Sequence, residues 1–137
     1  MDQVLTGGCL CGAIRYKCQG EPVFSGNCHC RDCQRTSGSA FTPAMFYPEI
    51  AVKIEGNPKS YETTADSGNK IWRLFCPSCG SQLFSKLEML PGMIGLRAGT
   101  LDDPSAFHPK LDFYTSSAPT WDFMNPQLPK FERAPKQ

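Results

Sequence analysis

The chain has 137 residues, a formal net charge of +1, 40% hydrophobic residues and eight cysteines. That length suits a single domain with one modest core. The near-neutral charge gives no electrostatic reason to expect a nucleic acid or an anionic membrane as partner, and no apolar run is long enough to span a bilayer. The first residues lack a basic segment followed by an apolar run, so a cytoplasmic protein with reduced thiols is expected. Twelve glycines and twelve prolines favour short strands and turns over long helices.

Residues 5–8 are expected to form a short strand leading into Cys9-Leu10-Cys11, which Gly8 and Gly12 bracket. Glycine on both sides lets the backbone fold tightly enough to aim both sulfurs at one point. Residues 13–18 alternate, with Ile14, Tyr16 and Cys18 on one face, as in a half-buried strand. Cys18 is in phase with the buried face and reads as a small core residue. After a turn at residues 19–22, a second strand starts at Val23 and runs into Cys28-His29-Cys30-Arg31-Asp32-Cys33. One helical turn begins near Cys30 and stops at Gly38.

Residues 40–46 are extended and apolar, and Pro43 places them on an edge or in an irregular strand. Residues 50–55 alternate, with residues 60–64 as the return strand beyond the turn at Gly56-Asn57-Pro58. Residues 70–75 form a strand that delivers Cys76-Pro77-Ser78-Cys79-Gly80, the form of a zinc knuckle. Residues 82–85, 92–98 and 111–115 are further strands. The fold class is mainly β: a single-domain β-complex with little helix, a core over about residues 8–121 and an irregular segment at 122–137.

Seven cysteines fall into three clusters. Cys9/Cys11 and Cys76/Cys79 share a grammar, a nearby strand and a glycine directly after the second cysteine. Two such turns close one structural shell of four thiolates around zinc, whose bonds to sulfur of about 2.3 Å set neighbouring sulfurs about 3.8 Å apart. The middle cluster then has three sulfurs, Cys28, Cys30 and Cys33. A fourth ligand from the chain would come from His29, His108 or Cys18; without one, the metal accepts a ligand from outside, as catalytic zinc does. A scaffold of paired disulfides is the alternative use of eight cysteines.

The motifs Gly8-Cys9-Leu10-Cys11-Gly12, Cys28-His29-Cys30-Arg31-Asp32-Cys33 with Ser37-Gly38-Ser39, and Phe75-Cys76-Pro77-Ser78-Cys79-Gly80 resemble the glutathione-dependent formaldehyde-activating enzyme family, which includes the centromere protein V-like domains. Gly99-Thr100-Leu101-Asp102-Asp103 and Pro119-Thr120-Trp121 resemble its C-terminal signature. The resemblance implies two zinc ions per chain, a structural one on Cys9, Cys11, Cys76 and Cys79 and a catalytic one on Cys28, Cys30 and Cys33. It implies a carbon–sulfur lyase whose partners are a thiol such as glutathione and a small aldehyde such as formaldehyde.

Three thiolates on a divalent ion carry one net negative charge, and a fourth makes two. Arg31 and Arg35, inside and beside the ligand loop, are the candidates to offset it and to bind substrate. Trp72, Phe41, Phe46 and Trp121 are candidate pocket aromatics. Two other functions fit the thiols, a non-catalytic zinc-stabilised binding module and a thiol-based redox or metal sensor. Lys130, Arg133 and Lys136 are too dilute for a basic tail.

Overall fold

A computed structural model describes residues 3–135; Lys136 lies outside them. The described chain is mainly β, with ten strands and one α-helix: β1 (Val4–Gly8), β2 (Arg15–Gln19), β3 (Phe24–Cys28), α1 (Arg31–Ser37), β4 (Thr42–Pro48), β5 (Val52–Glu55), β6 (Lys59–Thr64), β7 (Lys70–Phe75), β8 (Gln82–Leu87), β9 (Met93–Arg97) and β10 (Asp112–Phe113). They form a three-stranded sheet, β1-β2-β5, and a seven-stranded sheet, β10-β3-β4-β9-β8-β7-β6.

The core lies between the sheets. Alternation in β2 buries Tyr16 and Cys18, with Ile14 just ahead of the strand. Across from them the large sheet presents a row in register, Leu74, Phe84, Leu96 and Met45. The Tyr16 and Phe84 rings meet edge to face at 5.5 Å. Cys18 is fully buried in this cluster, as its phase in the strand required.

The period of two also fixes the large sheet's other face. Residues in phase there are Cys28 on β3, Thr42 and Ala44 on β4, Arg97 on β9, Ser85 on β8 and Arg73 on β7. This face carries the Cys28 thiol and two buried arginines.

Three local expectations are corrected. The strand holding Pro43 is interior, between β3 and β9, not at an edge. Proline is tolerated because Asn27, its partner on β3, points its own N–H the other way, to the Leu111 carbonyl. Pro43 nitrogen therefore faces the β9 side, where pairing stops one residue away at Ala44–Arg97. The strand expected over residues 50–55 is only Val52–Glu55; a 3-10 turn at Glu49–Ala51 follows Pro48 and leaves Ile50 97% exposed. β6 does not return onto β5. β5 pairs with β2, and β6 crosses to the large sheet to pair with β7.

Residues after β10 are irregular but tied down. Asp112 N–H donates to the Pro129 carbonyl and Phe131 N–H to the Asp112 carbonyl, at 3.0 and 2.9 Å. Among the described residues no helix is long and apolar enough to cross a membrane.

Candidate metal centre

All eight thiols are free, and seven lie in two groups. The sulfurs of Cys9, Cys11, Cys76 and Cys79 all lie within 4.8 Å of one another, joining the β1–β2 turn to the end of β7. The Cys11 sulfur is 3.7 Å from Cys9 and 3.7 Å from Cys76. Those spacings match the edge of a zinc–thiolate tetrahedron, about 3.8 Å. The shared glycine grammar has a conformational cause. Gly12 and Gly80 adopt φ of 81° and 79°, left-handed values that let each turn close over its thiols.

Backbone N–H groups point at these sulfurs. Ile14 N–H donates to Cys9 Sγ at 3.3 Å and Cys79 N–H to Cys76 Sγ at 3.4 Å. The Ser81 hydroxyl lies 3.2 Å from Cys79 Sγ and is the main reason that thiol is lowered to about 5. Sulfurs served by donors in this way suit the thiolate form that a metal requires.

The second group is Cys28, Cys30 and Cys33, also within 4.8 Å of one another. Cys28 ends β3, Cys30 caps α1, and Cys33 lies in its first turn. The cap repeats the device of the first site, with Cys33 N–H donating to Cys30 Sγ at 3.4 Å. Gly38, at φ 66°, ends the helix by donating to the Gln34 carbonyl. Cys33 is lowered to about 3, first by the Cys28 and Cys30 thiols, then by Thr42 and the charge of Arg97. Cys28 is raised by the Cys30 and Cys33 thiols and by burial. The donor set of three thiols fits a thiophilic ion such as zinc.

No fourth His, Cys, Asp or Glu among the described residues joins this group. Cys18 is in the core between the sheets, and His108 is exposed in a loop. His29 faces away from the sulfurs. Its Nε2 donates to Asp112 Oδ1 at 2.9 Å, and its Nδ1 lies 2.6 Å from Asp122 Oδ2, off the hydrogen-bonding axis. Its ring lies 5.1 Å from that of Phe41. Burial alone would raise Asp112, but Lys130, His29 and Asn27 hold it below the usual carboxylate range. The thiol loop is therefore anchored from behind by a buried polar cluster.

The other candidates are spread out. Arg31 is exposed and donates to Gln34 Oε1; Arg35 is exposed in the last turn of α1. Of the four aromatics only Phe41 lies beside the loop; Phe46 packs on Phe24, Trp72 donates to Glu62, and Trp121 is 71% exposed. Two cavities, of about 240 and 270 Å³, have no cysteine in their walls.

The fold also brings in residues the motifs did not mark: Asp112, Asp122, Tyr114 and Arg97. Tyr114 holds a left-handed φ of 55°, uncommon for a residue with a side chain. Its phenol is raised by burial and then by Cys28 and Cys30. The available signal for Arg97 was a lone cation ending an otherwise apolar strand.

The family model for the glutathione-dependent formaldehyde-activating enzyme matches residues 4–117, a span that contains both thiol groups. The chain belongs to the glutathione-dependent formaldehyde-activating enzyme family. A crystal structure of a Rhodobacter sphaeroides protein is similar in fold, with a TM-score of 0.59 at 17% identity, covering 92% of this chain and 98% of that one. Two thiol groups, of four and of three, are what this member of the glutathione-dependent formaldehyde-activating enzyme family offers to metal ions.

Proposed function

We propose that this protein is a single-domain zinc enzyme of the carbon–sulfur lyase type. It adds a thiol such as glutathione to a small aldehyde such as formaldehyde, or reverses that addition. Cys9, Cys11, Cys76 and Cys79 hold a structural zinc ion, and Cys28, Cys30 and Cys33 hold the catalytic one. The observation that carries this reading is the difference between the two groups: one has four thiols and the other stops at three. A zinc site with three protein ligands is the catalytic kind.

Zinc at the three-thiol group would supply one thing, an incoming thiol held as its thiolate at neutral pH. In the addition, the sulfur electron pair forms the C–S bond. The carbonyl π pair moves to oxygen, which takes up a proton equivalent to the one the thiol lost, giving the S-hydroxymethyl hemithioacetal. The chain's own part is placement. β3 and the α1 cap fix the three sulfurs, and the His29–Asp112–Asp122 cluster holds the loop between them rigid.

The experiment combines metal content with turnover. Two zinc ions per chain, together with faster formation of S-hydroxymethylglutathione from glutathione and formaldehyde, supports the reading. Two zinc ions with no rate increase and no thiol binding removes it and favours a zinc-stabilised binding module.

A further inference from the structure

We infer that Arg97 is the anion-receiving residue of the three-thiol centre, the group that lets the site accept a fourth, negatively charged sulfur from the substrate. This rests on the reading of that centre as a thiol-binding zinc site.

Position comes first. Arg97 is the last residue of β9 and pairs with Ala44; Thr42, two residues back along β4, pairs with Cys28. All four side chains project from the same face of the sheet, and neighbours on that diagonal have Cα atoms roughly 7–8 Å apart. Thr42 is bound into the ligand loop, its hydroxyl donating to the Cys33 carbonyl at 3.3 Å. Arg97 therefore stands one strand beyond the residue that touches the loop, within reach of an arginine side chain.

Its surroundings are the second observation. Arg97 is 8% exposed, yet no carboxylate among the described residues forms an ion pair with it. A largely buried cation with no carboxylate beside it favours the approach of an anion. Burial weakens its hold on its proton, Cys33 strengthens it, Arg73 weakens it, and Cys28 and Cys30 strengthen it. Arg31 and Arg35 have neither burial nor this position.

Charge balance gives the direction. Three thiolates on a divalent ion leave one negative charge. An incoming thiolate makes it two, and Arg97 is the buried cation placed to offset that added charge; Arg73, 5% exposed on the same face, lies two strands further along the sheet and donates to the Thr63 hydroxyl. The other buried ionic group behind the loop, His29 with Asp112, Asp122 and Lys130, is occupied with itself.

The test is calorimetric titration of zinc-loaded protein with glutathione and with 2-mercaptoethanol, on the wild type, Arg97→Gln and Arg97→Lys. The expected result is that Arg97→Gln keeps two zinc ions and binds both thiols on the order of tenfold more weakly or worse. Arg97→Lys, which keeps the charge, is expected to recover most of that loss. Equal binding by the wild type and Arg97→Gln overturns the inference and leaves the zinc–thiol reading standing. Loss of a zinc ion in Arg97→Gln also overturns it, because Arg97 would then serve metal retention. A wild type that binds neither thiol removes the underlying reading instead. Should Arg97→Gln fail to fold, iodide competition on the wild type decides: the anion is expected to displace thiol, and no displacement overturns the inference.

Discussion

His29 Nε2 lies 2.9 Å from Asp112 Oδ1, with both side chains all but sealed from solvent. That bond joins the middle of the thiol loop to β10, which lies parallel to β3 in the sheet. Replacing His29 by Ala removes one of the donors to the buried Asp112 carboxylate, which keeps Lys130 and Asn27. The expected cost is about 1–3 kcal/mol, the range for a buried polar group that loses a partner. Urea unfolding of the zinc-loaded protein measures it. An unchanged midpoint would show that the loop is held by its sulfurs alone.

The two thiol groups should respond differently to loss of one sulfur. Cys76→Ser removes a thiol whose sulfur contact ties β7 to the β1–β2 turn, 65 positions away in sequence. A structural zinc ion contributes roughly 10–16 kcal/mol of apparent binding free energy, comparable to a domain's whole net stability. Loss of cooperative unfolding is expected. Cys30→Ser, in the three-thiol group, is expected to lower zinc content from two to one while the far-ultraviolet spectrum keeps its β signature. The reverse pattern would exchange the two roles.

Cys18 offers the control. It is buried among apolar side chains and lies outside both thiol groups, and burial raises its thiol to about 12. Cys18→Ser is expected to keep both zinc ions. It should lose about 1–3 kcal/mol of stability, because the hydroxyl is buried without a partner. A fall in zinc content would make Cys18 a ligand after all.

Asp102 gives a pH dependence free of the thiols. It accepts from Thr6 and from both terminal nitrogens of Arg15, at 2.7, 2.9 and 2.5 Å, and Arg15 is the main cause that lowers it to about 2. A carboxylate lowered on folding stabilises fully above its unfolded value, near 3.8, and loses that contribution as pH falls through the folded one. The stability gap between wild type and Asp102→Asn should therefore stay constant from pH 7 to about 5 and narrow below about 4. Both partners are about half exposed, so the gap is small and shrinks with added salt. A gap that widens on acidification contradicts the assignment.

The sequence by itself determined the elements whose cause is local. Alternation placed Tyr16 and Cys18 in a buried face; glycine after each Cys-x-Cys or Cys-x-x-Cys turn marked a left-handed closure; spacing of a few residues grouped Cys28, Cys30 and Cys33. Short-range sterics and period-two geometry act within a few residues, so they are visible in the string. Tertiary structure alone decided that β5 and β6 part company between the sheets and that the strand with Pro43 is interior. Those outcomes depend on which backbone edge faces an unpaired flank. It also turned His29 towards Asp112 and Asp122 and set a buried Arg97 on the face that carries Cys28. The partners in these relationships lie tens of residues apart, and a charge is felt through space, so only the folded sheet could bring them together.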